Sequence, residues 1–401
     1  MQMRSVHRVI SILIVAVTLY LSVTGTLIEL VDFKTLITKP SPFDPDLRAM
    51  REDFNGPGNY EVLTASDYVA PSLPAGADPE VMLATVVKAA RTTLGTTPLK
   101  FVELRMADGR PVGQVSYGHR QELRFDAATG ASLGVPPPLV GDDKGGPPPS
   151  LRNTIKHLHR MTTFGDWALW INIIASLGLA TLIVTGLVLY YRLWRQRYRM
   201  KRSNPFWTAG GWWRALHRSI SISAALFLTV TTLSGAWLAY ESLIFGMYLR
   251  HAPKTFFQAD AATPLIDAKL PAMMDATVSA YHALQPGMPV RAIRLRSYGG
   301  MSQGVVITGD PTARQLVFNT QTGRTVRLTE PGYPDTGFPF GWQAHQWAKS
   351  IHRGDFFGLT GRITSLIAGL SMAYLSISGI VMYWTMWRKR RGTGRPAFFW
   401  K

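Results

Sequence analysis

Four stretches of this 401-residue chain are each apolar over the ~20 residues that a helix needs to cross a bilayer. They are Val9–Leu30, Trp167–Tyr191, Ile220–Phe245 and Ile363–Trp387. Inside lipid no water satisfies the backbone, so stretches of this length fold as helices, and that constrains everything else. Two polar segments, 32–157 and 247–350, separate them, and each is long enough for a small domain. The mean hydropathy of +0.05 is an average over these unlike parts.

The formal net charge of +18 is unevenly placed. Arg4 and Arg8 precede the first span, "RLWRQRYRMKRSNP" (192–205) joins the second to the third, and "RKRRGTGRPAFFWK" (388–401) follows the fourth. With alternating spans, all three clusters fall on one side, the pattern of short cytoplasmic loops. The expected arrangement is therefore multi-pass with both termini cytoplasmic and the two long segments outside, in the periplasm if the membrane is a bacterial inner membrane. Because the basic clusters hug span ends, they are read as topology signals, and no nucleic-acid partner is expected. The first apolar run exceeds the ~7–15 residues of a signal-peptide core and is read as a retained span. The chain has no cysteine, which excludes disulfides, c-type haem attachment and cysteine-bound iron–sulfur clusters.

The chain also repeats itself. "SVHRVISI" (5–12) returns as "ALHRSISI" (215–222), and "HLHRMTTFG" (157–165) as "SIHRGDFFG" (350–358). At an offset of 210, His217 falls on His7, Arg218 on Arg8 and Ser234-Gly235 on Thr24-Gly25. At an offset of 193, His352 falls on His159, Arg353 on Arg160, Ser378-Gly379 on Thr185-Gly186, and Tyr383 on Tyr190. The outer segments share "LRFDAATGASL" (123–133) and "LVFNTQTGRTV" (316–326), preceded by alternating runs that read as antiparallel strands and by one helical stretch each. The expected fold is a four-helix membrane protein made by duplication: helix, small α+β domain, helix, twice over. Its boundaries are residues 1–31, 32–150, 151–192, a basic loop at 193–214, 215–246, 247–341, 342–388 and a tail at 389–401.

Topology then puts His7 and His217 at one end of the bundle and His159 and His352 at the outer ends of spans two and four. Two imidazoles on facing helices suit axial ligation of one haem iron, so the repeat provides two such sites. Both axial positions would be filled, which suits electron transfer. Arg160 and Arg353 lie on the side where the positive-inside rule gives no reason for them, and a haem propionate is a partner such arginines accept. Lipid contact and helix-end packing compete with this reading, as does zinc at His157 and His159. His345, seven residues before His352, is a possible substitute ligand. Each Thr/Ser-Gly pair in the spans either allows close helix approach or makes room for a macrocycle.

The His-Arg entries, the Thr/Ser-Gly of each span and the "FDAATG"/"FNTQTG" elements resemble the PepSY-associated transmembrane family over nearly the whole chain, with PepSY-like outer domains. That resemblance implies an inner-membrane ferric-siderophore reductase with two b-type haems, reducing Fe3+ to Fe2+ in the periplasm. His7 and His217 would hold the inner haem and His159 and His352 the outer one. Arg8, Arg218, Arg160 and Arg353 would meet propionates, and Phe338, Phe340 and Trp342 would lie on the approach of the chelate. Expected partners are a ferric siderophore, membrane lipid, periplasmic iron-uptake proteins and an electron donor. No dinucleotide-binding motif is present, so the donor is a quinol or a separate cytoplasmic flavin or nicotinamide reductase. Two other functions stay open: a conduit to another periplasmic acceptor, and a cofactor-free PepSY regulatory module.

Overall fold

The computed structural model describes residues 3–41, 44–55, 62–118, 121–137, 149–249, 262–298, 300–310, 313–326, 340–395 and 397–399. The helices are α1 (Met3–Thr38), α2 (Pro45–Asn55), α3 (Pro79–Leu94), α4 (Leu151–His159), α5 (Trp167–Arg199), α6 (Trp212–Leu249), α7 (Leu270–Leu284), α8 (Gly341–Arg353) and α9 (Gly358–Gly392). The strands are β1 (Leu99–Ala107), β2 (Arg110–Tyr117), β3 (Gln121–Asp126), β4 (Ser132–Gly134), β5 (Ala262–Thr263), β6 (Val290–Tyr298), β7 (Met301–Thr308) and β8 (Gln315–Asn319). The chain divides into two compact units: 1–39, 150–252 and 337–401 form one, and 40–149 with 253–336 the other.

The first unit is a helical bundle. Its α1, α5, α6 and α9 are long and apolar enough to cross a membrane. Each packs on two neighbours in the cyclic order α1, α5, α6, α9. Leu13, Ile174, Leu226 and Ile367 point outward from it, as lipid-facing side chains do. The short helices α4 and α8 lie against α1 and α6 respectively.

His159 and His352, expected at the outer ends of spans two and four, stand just ahead of those spans, at the C-terminal ends of the separate helices α4 and α8. The cause is local backbone. Met161 and Gly354, which correspond in the repeat, adopt left-handed φ values of 59° and 80°. A single 3-10 turn follows each, ended by Gly165 and Gly358, again at positive φ. A left-handed residue ends an α-helix, so the chain is re-aimed before each span begins.

The second unit is built on one sheet with strand order β4-β3-β2-β1-β6-β7-β8, while β5 pairs with the end of β6. The sequence suggests two separate small sheets. Instead β1 and β6 pair antiparallel, with Glu103 opposite Arg294, so the two halves share one continuous sheet. Pairing these strands removes an edge from each half. Helices α3 and α7 cover one face through Leu83, Val86, Met274, Val102, Leu104 and Leu295. Gly113 on β2 and Gly304 on β7 let them do so: a Cβ at either glycine would overlap Val86 or Thr277. The repeated "DAATG"/"NTQTG" element is a turn in which Asp126 and Asn319 each accept main-chain N–H bonds from the residues two and three positions on.

Candidate functional site

The matched histidines behave alike in the bundle. His7 Nδ1 lies 2.8 Å from Thr185 Oγ1 on α5, and His217 Nδ1 lies 2.7 Å from Ser378 Oγ on α9. His159 Nδ1 lies 3.0 Å from Thr24 Oγ1 on α1, and His352 Nδ1 lies 3.2 Å from Ser234 Oγ on α6. Each hydroxyl belongs to the Thr/Ser-Gly pair of a neighbouring span.

These contacts assign the imidazole tautomers. The hydroxyls of Thr185, Thr24, Ser234 and Ser378 already donate to carbonyls one turn back on their own helices, at Thr181, Tyr20, Val230 and Leu375. A hydroxyl has one proton to give, so towards the imidazole it accepts. The carbonyl of Thr231, 3.1 Å from His352 Nδ1, also accepts only. Each histidine therefore carries its proton on Nδ1, leaving the Nε2 lone pair as the ligating position. An Nδ1–H bonded to an oxygen, with Nε2 left for a metal, is the usual arrangement of ligating histidines.

The glycines make room for the rings. A Cβ on Gly25 would stand 3.1 Å from His159 Cε1, one on Gly235 2.9 Å from His352 Cε1, and one on Gly186 3.4 Å from His7 Cε1. At Gly379 the corresponding space is open. At Gly25 and Gly235 the small residue thus serves the imidazole, a role distinct from both readings of the sequence, whereas at Gly186 a Cβ would make an ordinary contact.

The histidines also come together in pairs. The His159 and His352 rings have centroids 6.3 Å apart, tilted by 37°. Two ring nitrogens at ~2 Å from one metal atom produce a separation of this size. Burial, and then the charge of His352, push the His159 imidazole down to about 4. Burial also lowers His352. Both are neutral at pH 7, the form that ligates. At the other end of the bundle, His7 on α1 reaches Thr185 on α5 and His217 on α6 reaches Ser378 on α9.

The arginines diverge. Arg160 donates to Ser242 Oγ at 3.3 Å, and Arg353 pairs with Asp355. Arg218 donates to the carbonyls of Trp207 and Ala209, with its guanidinium 4.8 Å above the Trp207 ring. The hook carrying Trp207 is fixed by a 2.9 Å bond from Tyr190 Oη to the Pro205 carbonyl, and its repeat counterpart, Tyr383 to the Phe398 carbonyl, is also made. Arg8 has a guanidinium nitrogen hidden from solvent beside this second hook.

His157 and His345 stand apart from the pairs. His157 is exposed and bonds Thr162. His345 is held at 2.7 Å by Glu241, whose other oxygen accepts from Trp237 Nε1 at 2.8 Å. In the first repeat the corresponding place belongs to Arg152, which makes two bonds to Asp32. Arg362 joins this group through Asp32 at 2.5 Å and Glu29 at 3.1 Å. All four are buried, a network that sequence reading missed because its members lie on α1, α4 and α9, far apart in the chain. Among the described residues, no three histidines and carboxylates gather around a metal-sized point, so a zinc site at His157 and His159 gains no further ligands. Phe340 packs on Trp237 with centroids 4.7 Å apart, whereas Phe338 and the Trp342 side chain lie outside the described residues.

The fold and site together define a multi-pass membrane bundle with two histidine layers. The sequence matches the PepSY-associated TM region over residues 4–385, and the chain belongs to that family. No curated protein matches it.

Proposed function

We propose that this protein is an inner-membrane di-haem b electron-transfer protein that reduces a ferric siderophore in the periplasm. The observation that carries the reading is the fourfold placement of an imidazole Nδ1 within 3.2 Å of a Thr or Ser hydroxyl. A histidine that only packs at a helix end has no need of a fixed tautomer. Four at duplicated positions, all with Nε2 left for a ligand, fit a cofactor in each layer.

His7 and His217 would hold one haem, and His159 and His352 the other. When bound, each haem would supply one-electron transfer chemistry. The rest falls to the chain. Thr185, Ser378, Thr24 and Ser234 orient the imidazoles, and Gly25 and Gly235 keep the His159 and His352 rings unobstructed. The basic segments 192–205 and 388–401 would set the His7 end in the cytoplasm. Arg8 and Arg218 lie at that end and Arg160 at the other, each offering a cation to a propionate. Arg353 would have to exchange Asp355 for one. The single electron loosens the metal, because siderophore oxygens bind Fe3+ far more tightly than Fe2+.

The test is the visible spectrum of detergent-purified protein before and after dithionite, with a haem-to-protein ratio. A sharp reduced α-band near ~560 nm and about two haems per chain are expected for bis-histidine b-type sites. A colourless protein from haem-replete cells would overturn the reading.

A further inference from the structure

Tyr374 stands midway along α9, and among the described residues its hydroxyl, hidden from solvent, has no hydrogen-bond partner. Tyr20, Tyr190 and Tyr383 each donate to a main-chain carbonyl. The hydroxyls of Thr26 and Thr232 also have no partner, but a threonine can turn onto its own helix backbone. A phenol, at the end of a rigid ring, cannot. An unpaired polar group in a hydrocarbon setting is costly, and a group kept at that cost needs an explanation.

Its surroundings suggest a ligand. The Trp213 ring of α6 stacks on Tyr374 with centroids 5.9 Å apart and planes within 15°. Trp212, beside it, is exposed and packs on Trp213 at 4.7 Å. Trp213 precedes His217 by one helical turn and Tyr374 precedes Ser378 by one turn, so both flank the His217–Ser378 hydrogen bond. The feature is confined to one repeat. Tyr374 corresponds to Thr181, whose hydroxyl returns to the Leu177 carbonyl at 2.9 Å, and Trp213 corresponds to Met3. One repeat thus keeps a satisfied hydroxyl where the other holds an unsatisfied phenol against an indole.

We propose that Tyr374 and Trp213 bind the ring of a lipid-soluble quinol, the electron donor, beside His217. A planar ring matches the indole face, a ring oxygen satisfies the phenol, and entry from lipid suits a site on membrane-spanning helices. Oxidation breaks the two O–H bonds of the quinol and leaves a quinone. Two protons pass to water, and two electrons pass singly to two ferric acceptors. This inference rests on the electron-transfer reading above.

The experiment uses the full chain in lipid nanodiscs and an azido-benzoquinone bearing one prenyl tail. After photolysis, adducts are mapped by mass spectrometry, with decylubiquinone as competitor. Saturable labelling in 212–217 and 370–378 is expected. Tyr374→Phe, which removes one oxygen, should weaken it about fivefold, the worth of one hydrogen bond. Trp213→Leu should weaken it further. Absence of saturable labelling in the wild type overturns the proposal, as does labelling unchanged by both substitutions; melting curves of the variants show whether each is folded. The dithionite spectrum of the same samples separates the two ideas. Haem without saturable labelling removes the quinol site alone and favours a soluble reductase as donor. Labelling without haem removes the electron-transfer reading and leaves a quinone-binding bundle.

Discussion

The imidazole of His217 donates from Nδ1 to Ser378 Oγ at 2.7 Å, and the Ser378 hydroxyl in turn donates to the Leu375 carbonyl. The serine is therefore a one-way acceptor that fixes which nitrogen of His217 keeps its proton. Ser378→Ala removes the acceptor and frees the ring to rotate. Loss of such an orienting partner typically costs about 10- to 100-fold in metal affinity. We predict a corresponding loss of haem from one of the two sites in Ser378→Ala, with retention in Ser378→Thr, read by pyridine-haemochrome titration. Equal haem content in all three proteins would remove the orienting role.

The two layers should be separable. His159→Ala deletes half of the pair whose rings lie 6.3 Å apart, while His7 and His217, with partners on α5 and α9, are untouched. The expected outcome is about one haem per chain in place of about two, with ferric-siderophore reduction abolished. His157→Ala is the control: it loses only a bond to Thr162 and should keep both haems. If His159→Ala retains two haems, the outer assignment fails.

The four glycines give a sharper comparison because their surroundings differ. A Cβ at Gly235 would stand 2.9 Å from His352 Cε1, but at Gly379 it would meet nothing within 4 Å. Gly235→Ala must displace the imidazole or bend α6, a strain of about 1–3 kcal/mol. Gly379→Ala should be nearly neutral. Haem occupancy together with thermal unfolding should therefore fall in the first variant and hold in the second. Were the glycines there for helix–helix approach, both would suffer.

How much of this was legible beforehand follows from what the sequence repeats. The spans could be read because lipid demands a long apolar run, and the histidines because the chain states each twice. The hydroxyls of Thr24, Thr185, Ser234 and Ser378 were visible as repeated letters, but their role was not, since it depends on which helix faces which. The break between α4 and α5 was hidden for a different reason. Met161 occupies the left-handed position that Gly354 holds in the other repeat, and a methionine carries no turn signal. Asp32, Arg152 and Arg362 lie far apart in the chain, in elements that only tertiary packing brings together. The continuous sheet was missed because β1 and β6 belong to different repeats.

That shared sheet carries its own prediction. Glu103 on β1 is fully buried between Arg294 at 2.6 Å and Arg105 at 3.2 Å. Burial alone would raise its carboxyl, but the two guanidiniums outweigh burial and hold it below the usual range. A carboxyl depressed in the folded state stabilises it fully above the unfolded value of about 4.3, and that stability is lost as pH falls through the folded value. The protection of β1 and β6 amides, relative to their intrinsic exchange rate at each pH, should therefore hold from pH 7 to about 4.3 and fall below it. In Glu103→Gln the Arg294 guanidinium loses its buried carboxylate partner while Arg105 keeps Asp67, which costs about 3 kcal/mol of local opening free energy already at pH 7. The variant should show no further loss from this group on acidification. Identical pH profiles for the two proteins would mean that Glu103 does not hold the halves of the sheet together.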